Sequence, residues 1–180
     1  MDFIETSYFD MMRRQGQAMT ELEINISVEQ KLKASLEENW LRRIAVRTLE
    51  AEGILSPAEM GLVITDNKTI KKLNKTYRGK DKPTDVLAFH MIPGTSQESE
   101  LRFVDPPDGV HHLGEVVISY PQAVQQAQEQ GHNVAKELAL LIVHGILHLL
   151  GYDHELPEEE QQMKVREKEI LERLGDVEQC

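Results

Sequence analysis

Leu138-Ala139-Leu140-Leu141-Ile142-Val143-His144-Gly145-Ile146-Leu147-His148-Leu149-Leu150-Gly151-Tyr152-Asp153-His154 opens with six apolar residues and then places histidine at 144, 148 and 154. An apolar run that leaves no polar stripe reads as a buried helix, around which the rest of the chain must pack. Residues four apart share one helical face, so His144 and His148 can grip the same ion. Gly151 supplies the left-handed turn that ends such a helix, and His154 can then swing back as a third ligand. Neutral imidazole suits zinc. Three protein ligands leave the fourth tetrahedral position to water, the arrangement of catalytic zinc, so one Zn2+ per chain is expected. That places the metal at the end of the buried helix.

A closed, structural zinc is the alternative, and it needs a fourth side-chain ligand. The sole cysteine, Cys180, is the last residue; Asp153, next to His154, could fill the position or orient a ligand from outside. The spacing also resembles the zinc-binding stretch of metzincin peptidases, with one departure. Those enzymes carry Glu directly after the first His as general base, and here that position is Gly145, so a zinc hydrolase of peptides or small molecules is the weaker reading.

Working outward, short apolar segments alternate with helical ones. Leu22–Ile26 alternates apolar and polar like a half-buried strand, and Ser27 to about Glu52 follows as a helix whose stripe is Leu32, Leu36, Trp40, Ile44, Val46 and Leu49. Leu62–Ile64 is a short strand, Asn67 to about Tyr77 a helix, and Val86–Phe89 a third strand. Residues 93–112, with three prolines and two glycines, form a long loop before the fourth strand, Leu113–Ser119. A helix from Pro121 to near Gly131, the histidine helix and an acidic helix from about Pro157 to Leu174 complete the chain. This predicts an α+β (mixed α/β) single domain, about four strands in a mixed sheet packed with helices. Residues 1–20 lack periodicity and read as a loosely ordered extension to a metal-binding catalytic domain over 21–180.

With 180 residues and one cysteine, the chain needs no disulfide framework and suits a reducing cytoplasm. No segment has the length of a membrane span, and no signal-like core follows a basic start. The net charge of −11 opposes indiscriminate nucleic-acid binding, so contact with RNA requires a local basic patch. One exists: Lys71, Lys72, Lys75, Arg78, Lys80 and Lys82 crowd one turn-rich segment. Its plain explanation is an exposed helix end complementing the macrodipole. His90, His111 and His112 read as strand-end or loop residues. His132, after Gly131, reads as a helix-terminal residue favouring the dipole's negative end.

Taken in order, Leu73-Asn74-Lys75-Thr76-Tyr77-Arg78-Gly79-Lys80-Asp81-Lys82-Pro83-Thr84-Asp85-Val86-Leu87-Ala88-Phe89, then Leu113 to Ser119, then His144 to His154, resemble the YbeY family of zinc-dependent endoribonucleases across roughly residues 22–174. The resemblance implies a single-strand-preferring ribonuclease of ribosomal RNA maturation and ribosome quality control. It implies His144, His148 and His154 as zinc ligands, His144 thereby belonging to the catalytic centre, and Arg78 as the essential basic residue of the active cleft. Lys75, Lys80 and Lys82 beside Arg78 are then expected to hold the RNA backbone. Expected partners are ribosomal RNA and ribosomal proteins or ribosome-associated GTPases. A ribosome assembly factor with structural zinc is the non-enzymatic alternative. Where the family usually has Asp this chain has Glu115, one methylene longer. Glu115 and Asp153 are the two candidates for moving protons.

Overall fold

Strand alternation builds the sheet. A computed structural model of the chain describes residues 22–54, 57–91, 109–152 and 156–175. The expected extension over 1–20, His154, Asp153 and most of the 93–112 loop lie outside the described residues. In β1 (Leu22–Val28), Leu22, Ile24, Ile26 and Val28 turn to the main core while Glu23, Asn25 and Ser27 are exposed. β2 (Ala58–Thr65) sends Ala58, Met60, Leu62 and Ile64 the same way. β3 (Val86–His90) and β4 (His111–Ser119) complete a four-stranded sheet in the order β1-β2-β4-β3. β1, β2 and β4 run parallel, and β3 is antiparallel at the edge beside β4. The fold is the α+β architecture expected from the sequence.

One irregularity shapes β4. The β2–β4 register slips between Glu59 and Met60, so that Met60 pairs with Gly114 and Leu113 is the extra residue of a bulge. Gly114 sits at φ 120°, and a Cβ there would lie 2.0 Å from the Phe89 carbonyl oxygen, so only glycine fits. The strand starts at His111, two residues before the expected Leu113. His111 and His112 are therefore strand residues, with His112 Nδ1 2.5 Å from Glu59 Oε1.

Helices cover both faces unequally. The larger core lies under α1 (Glu38–Ala51), α4 (Val134–Leu149) and α5 (Pro157–Leu174), with α3 (Tyr120–Gln130) flanking α4. α2 (Asn67–Arg78) packs on the opposite face, where Ile70 meets Leu87 and Val117. α4 is the hub, in contact with α1, α3, α5, β3 and β4. Its Leu138, Ile142, Val143, Ile146 and Leu147 are at most 1% exposed, as the even apolar run requires.

The helix expected over 27–52 is two elements. Ser27 and Val28 pair with Val63 and Ile64, and the Glu29 N–H donates to the Ile64 carbonyl at 3.0 Å, holding the chain extended where periodicity suggested a helix. A short 3-10 helix over Gln30–Ser35 and extended Leu36 precede α1. Sheet hydrogen bonds override a weak helical preference here. Leu32 and Leu36 still pack against the core, from outside the helix that carries Trp40.

Candidate metal centre and adjoining cleft

α4 delivers both of its histidines to one point. Asn133 caps its start by accepting from the Lys136 N–H, and Gly151, at φ 92°, turns the chain at its end. Half-buried His144 and His148 meet with their Nε2 atoms 3.1 Å apart. Two imidazole nitrogens that share a tetrahedral zinc, each about 2.0–2.1 Å from it, would be roughly 3.3 Å apart, so the pair fits that ion's requirement. His144 Nδ1 lies 2.5 Å from Glu167 Oε1 on α5. With its Nδ1–H donated to that carboxylate, the neutral ring carries its lone pair on Nε2, the atom facing His148. Among the described residues no third His, Cys, Asp or Glu completes a metal-holding group.

Glu167 was not legible in the sequence, being one carboxylate among many on an acidic helix. The only available signal was chemical: a ligating imidazole needs a partner for its second nitrogen. Glu167→Ala is expected to weaken metal binding about 10–100-fold, read by chelator competition, while Glu167→Gln, which still accepts from Nδ1–H, loses less.

The chain leaving α4 is anchored two residues before His154. Tyr152 donates to Glu52 Oε2 at 2.9 Å, and Glu52 Oε1 accepts from Arg166 Nε at 2.5 Å. Arg166 also donates to the Ala51 carbonyl and to Glu169, tying α5 to the end of α1. Burial and the Glu52 hydrogen bond push the Tyr152 hydroxyl above its usual range.

Gly145 has a packing reason. A Cβ there would lie 2.5 Å from Val116 Cγ1 and 3.3 Å from Val86 Cγ2, so the absence of a side chain lets α4 lie against β4 and β3. The position that carries the base in metzincins faces the sheet here.

Beside His144 a cleft of about 250 Å3 opens between α3 and α4, lined by Asp85, Gln126, His132, Glu137 and His144 among others. Asp85 is fully engaged: Oδ1 accepts from the Val86 N–H and Thr84 hydroxyl, and Oδ2 accepts from Gln126. Burial works against its ionisation, but these bonds prevail and hold the carboxyl below its usual value of 3.8. Its contribution to stability is therefore complete above that value and is lost as pH falls through the lower folded-state value. Asp85→Asn should flatten that acid limb, as followed by thermal melts across pH. His132 does follow the end of α3, and it has a partner that the sequence did not show: its Nε2 lies 2.5 Å from Oε2 of Glu137, which is 5% exposed.

The basic segment begins on α2, which packs on the face of the sheet opposite α4, and its turn leads to Asp85 in the cleft. Arg78 is the last residue of α2, exposed and without an ion pair among the described residues. Gly79 caps the helix, and the turn folds back along it through Asn74, whose Nδ2 donates to the Lys82 carbonyl at 2.8 Å. Lys75 and Lys71 lie 3.0 and 3.6 Å from the carboxylate of Asp81, whereas Lys80 and Lys82 extend into solvent. Lys75 is thus part-neutralised. Glu115 lies against Gly61 of β2 and shares its side of β4 with Val117, the α2 face, so the structure does not bring it to His144.

Comparison with known proteins places the chain in a family. Residues 23–175 match the family model described as Endoribonuclease YbeY. An Endoribonuclease YbeY of Roseiflexus castenholzii is 41% identical over 156 residues, covering 86% of this chain and 94% of its own. That of Dehalococcoides mccartyi strain CBDB1 is 43% identical over 158 residues, covering 87% and 95%. The Bacillus licheniformis protein reaches 47% over 124 residues, covering 69% and 77%. A solution structure from Thermotoga maritima shares the fold, with a TM-score of 0.54 and 24% identity over 89% of this chain and 97% of that one. The enzymes it matches cut RNA internally. The chain belongs to the Endoribonuclease YbeY family, and is by that membership a hydrolytic nuclease acting on RNA. Among the described residues no helix is long and apolar enough to cross a membrane.

Proposed function

We propose that this protein is a zinc-dependent, single-strand-preferring endoribonuclease of the cytoplasm, acting in ribosomal RNA maturation and ribosome quality control. His144, His148 and His154 hold one zinc per chain, and ribosomal proteins or ribosome-associated GTPases bring the enzyme to its substrate. The observation that carries this reading is the pair of Nε2 atoms 3.1 Å apart, one ring fixed from behind by Glu167. Bound zinc would make a nucleophile available at neutral pH and help neutralise charge on the phosphate. Incubating the protein with ribosomal RNA and with a peptide, each with and without chelator, tests the reading: chelator-sensitive cleavage of RNA alone is the expected result.

Arg78 offers a planar fork to a phosphate, which a lysine does not. Arg78→Ala should keep zinc and fold yet lose on the order of a hundredfold in RNA cleavage, with Arg78→Lys recovering part. Wild-type rates in the alanine variant would return Arg78 to an ordinary helix end.

The salt dependence of RNA binding reports on the lysines. With about −0.7 in log–log slope per phosphate neutralised on a single strand, a few contacts predict a slope of about −2 to −3. Neutralising Lys80 and Lys82 together should flatten it by about one unit or more without altering zinc content. Lys75, engaged by Asp81, should contribute less than either. A slope indifferent to Lys80 and Lys82 would remove them from the interface.

A further inference from the structure

The cleft that reaches His144 contains a second histidine with a carboxylate of its own. Glu137 and His144 are seven residues apart on α4, two turns on one face and about 10 Å along the axis. His132, in the connection between α3 and α4, reaches across to Glu137 with Nε2 2.5 Å from Oε2. His132 and Glu137 therefore mark one end of the cleft and His144 the other. Asp85, the other carboxylate lining this cleft, already accepts three hydrogen bonds and has no proton to give.

We propose that His132 donates the proton to the leaving oxygen of the RNA phosphodiester, with Glu137 as its positioning residue. This rests on the ribonuclease reading above and adds to it the group that handles the proton. In an in-line displacement the attacking and leaving oxygens lie on opposite sides of phosphorus. Attack from the His144 end turns the leaving oxygen toward His132. Because Nε2–H is given to Glu137, the transferable proton is the one on Nδ1, an atom without a partner among the described residues. The balance is complete with water alone. Water oxygen bonds to phosphorus and its proton goes to solvent; the bond from phosphorus to the leaving oxygen breaks, its electron pair stays on that oxygen, and Nδ1 supplies the proton. Solvent then reprotonates the imidazole.

A sulfur leaving group separates proton donation from any structural role, since a thiolate departs without being protonated. The cleaved linkage is first mapped with wild-type protein on single-stranded RNA. Two further oligonucleotides then carry sulfur in place of the 3′- or the 5′-bridging oxygen of that linkage. His132→Gln is expected to retain zinc and melting temperature and to cut the all-oxygen RNA about 10²–10⁴-fold more slowly. On one of the sulfur substrates it should run near the wild-type rate. Glu137→Gln, nearly isosteric, should repeat the pattern with a smaller loss, and carries the comparison if His132→Gln melts early. Undiminished cleavage of the all-oxygen RNA by His132→Gln, or an equal loss on all three substrates, overturns the proposal. Wild-type protein that cuts no RNA would instead overturn the ribonuclease reading itself, and this inference with it.

Discussion

His148→Ala is expected to bind zinc far more weakly than the wild type, by more than the roughly 10–100-fold that removing the outer partner Glu167 costs. The reason is geometric. His144 and His148 bring their Nε2 atoms within 3.1 Å, and of that pair alanine leaves only the histidine that Glu167 orients. RNA cleavage should fall with the metal. Stability offers an independent readout, because a ligand that binds only the folded state adds about 4 kcal/mol at a thousand times its dissociation constant. Zinc should therefore raise the melting temperature of the wild type and leave that of His148→Ala nearly unchanged. Full zinc retention by the variant, measured by metal analysis after dialysis against chelator, would remove this pair from the site.

The features legible in the sequence were those with a local cause. The β1 alternation follows from a period of two residues, the helix expected from Asn67 to about Tyr77 ends at Arg78, and the even apolar run of α4 is buried; each has a cause within its own segment. What was missed depends on distant segments. Whether Ser27 and Val28 continue β1 is decided by pairing with Val63 and Ile64, some 36 residues further on. Glu167 and His144 are 23 residues apart and meet only because α5 packs on α4. The basic turn was visible as composition, but composition does not show Asp81 engaging Lys75 and Lys71 while leaving Lys80 and Lys82 exposed. His132 looked like a helix-end residue because its partner, Glu137, reads as an ordinary acidic residue in the first turn of the next helix.

Gly145→Glu is the substitution expected to cost the most stability. In the sequence, glycine after the first histidine registers only as the absence of a peptidase base. In the fold it is the contact point between α4 and the sheet, where a Cβ would press on Val116 and Val86. Gly145→Ala sets an overpacking cost of about 1–3 kcal/mol against a gain of about 1 kcal/mol from better helix propensity. Glutamate adds an unpartnered carboxylate against a buried valine, a penalty on the order of 3–5 kcal/mol. Set against a total stability of about 5–15 kcal/mol for a domain, that should leave a protein that melts far below the wild type. The contact can be isolated by a cycle with Val116→Ala, since truncating the valine makes room for the alanine methyl. The double variant should be more stable than the sum of the two single changes predicts, by about 0.5–3 kcal/mol. Strict additivity, or a Gly145→Glu protein that melts with the wild type, would show that α4 can move off the sheet. The missing base would then be a matter of chemistry alone and not of space.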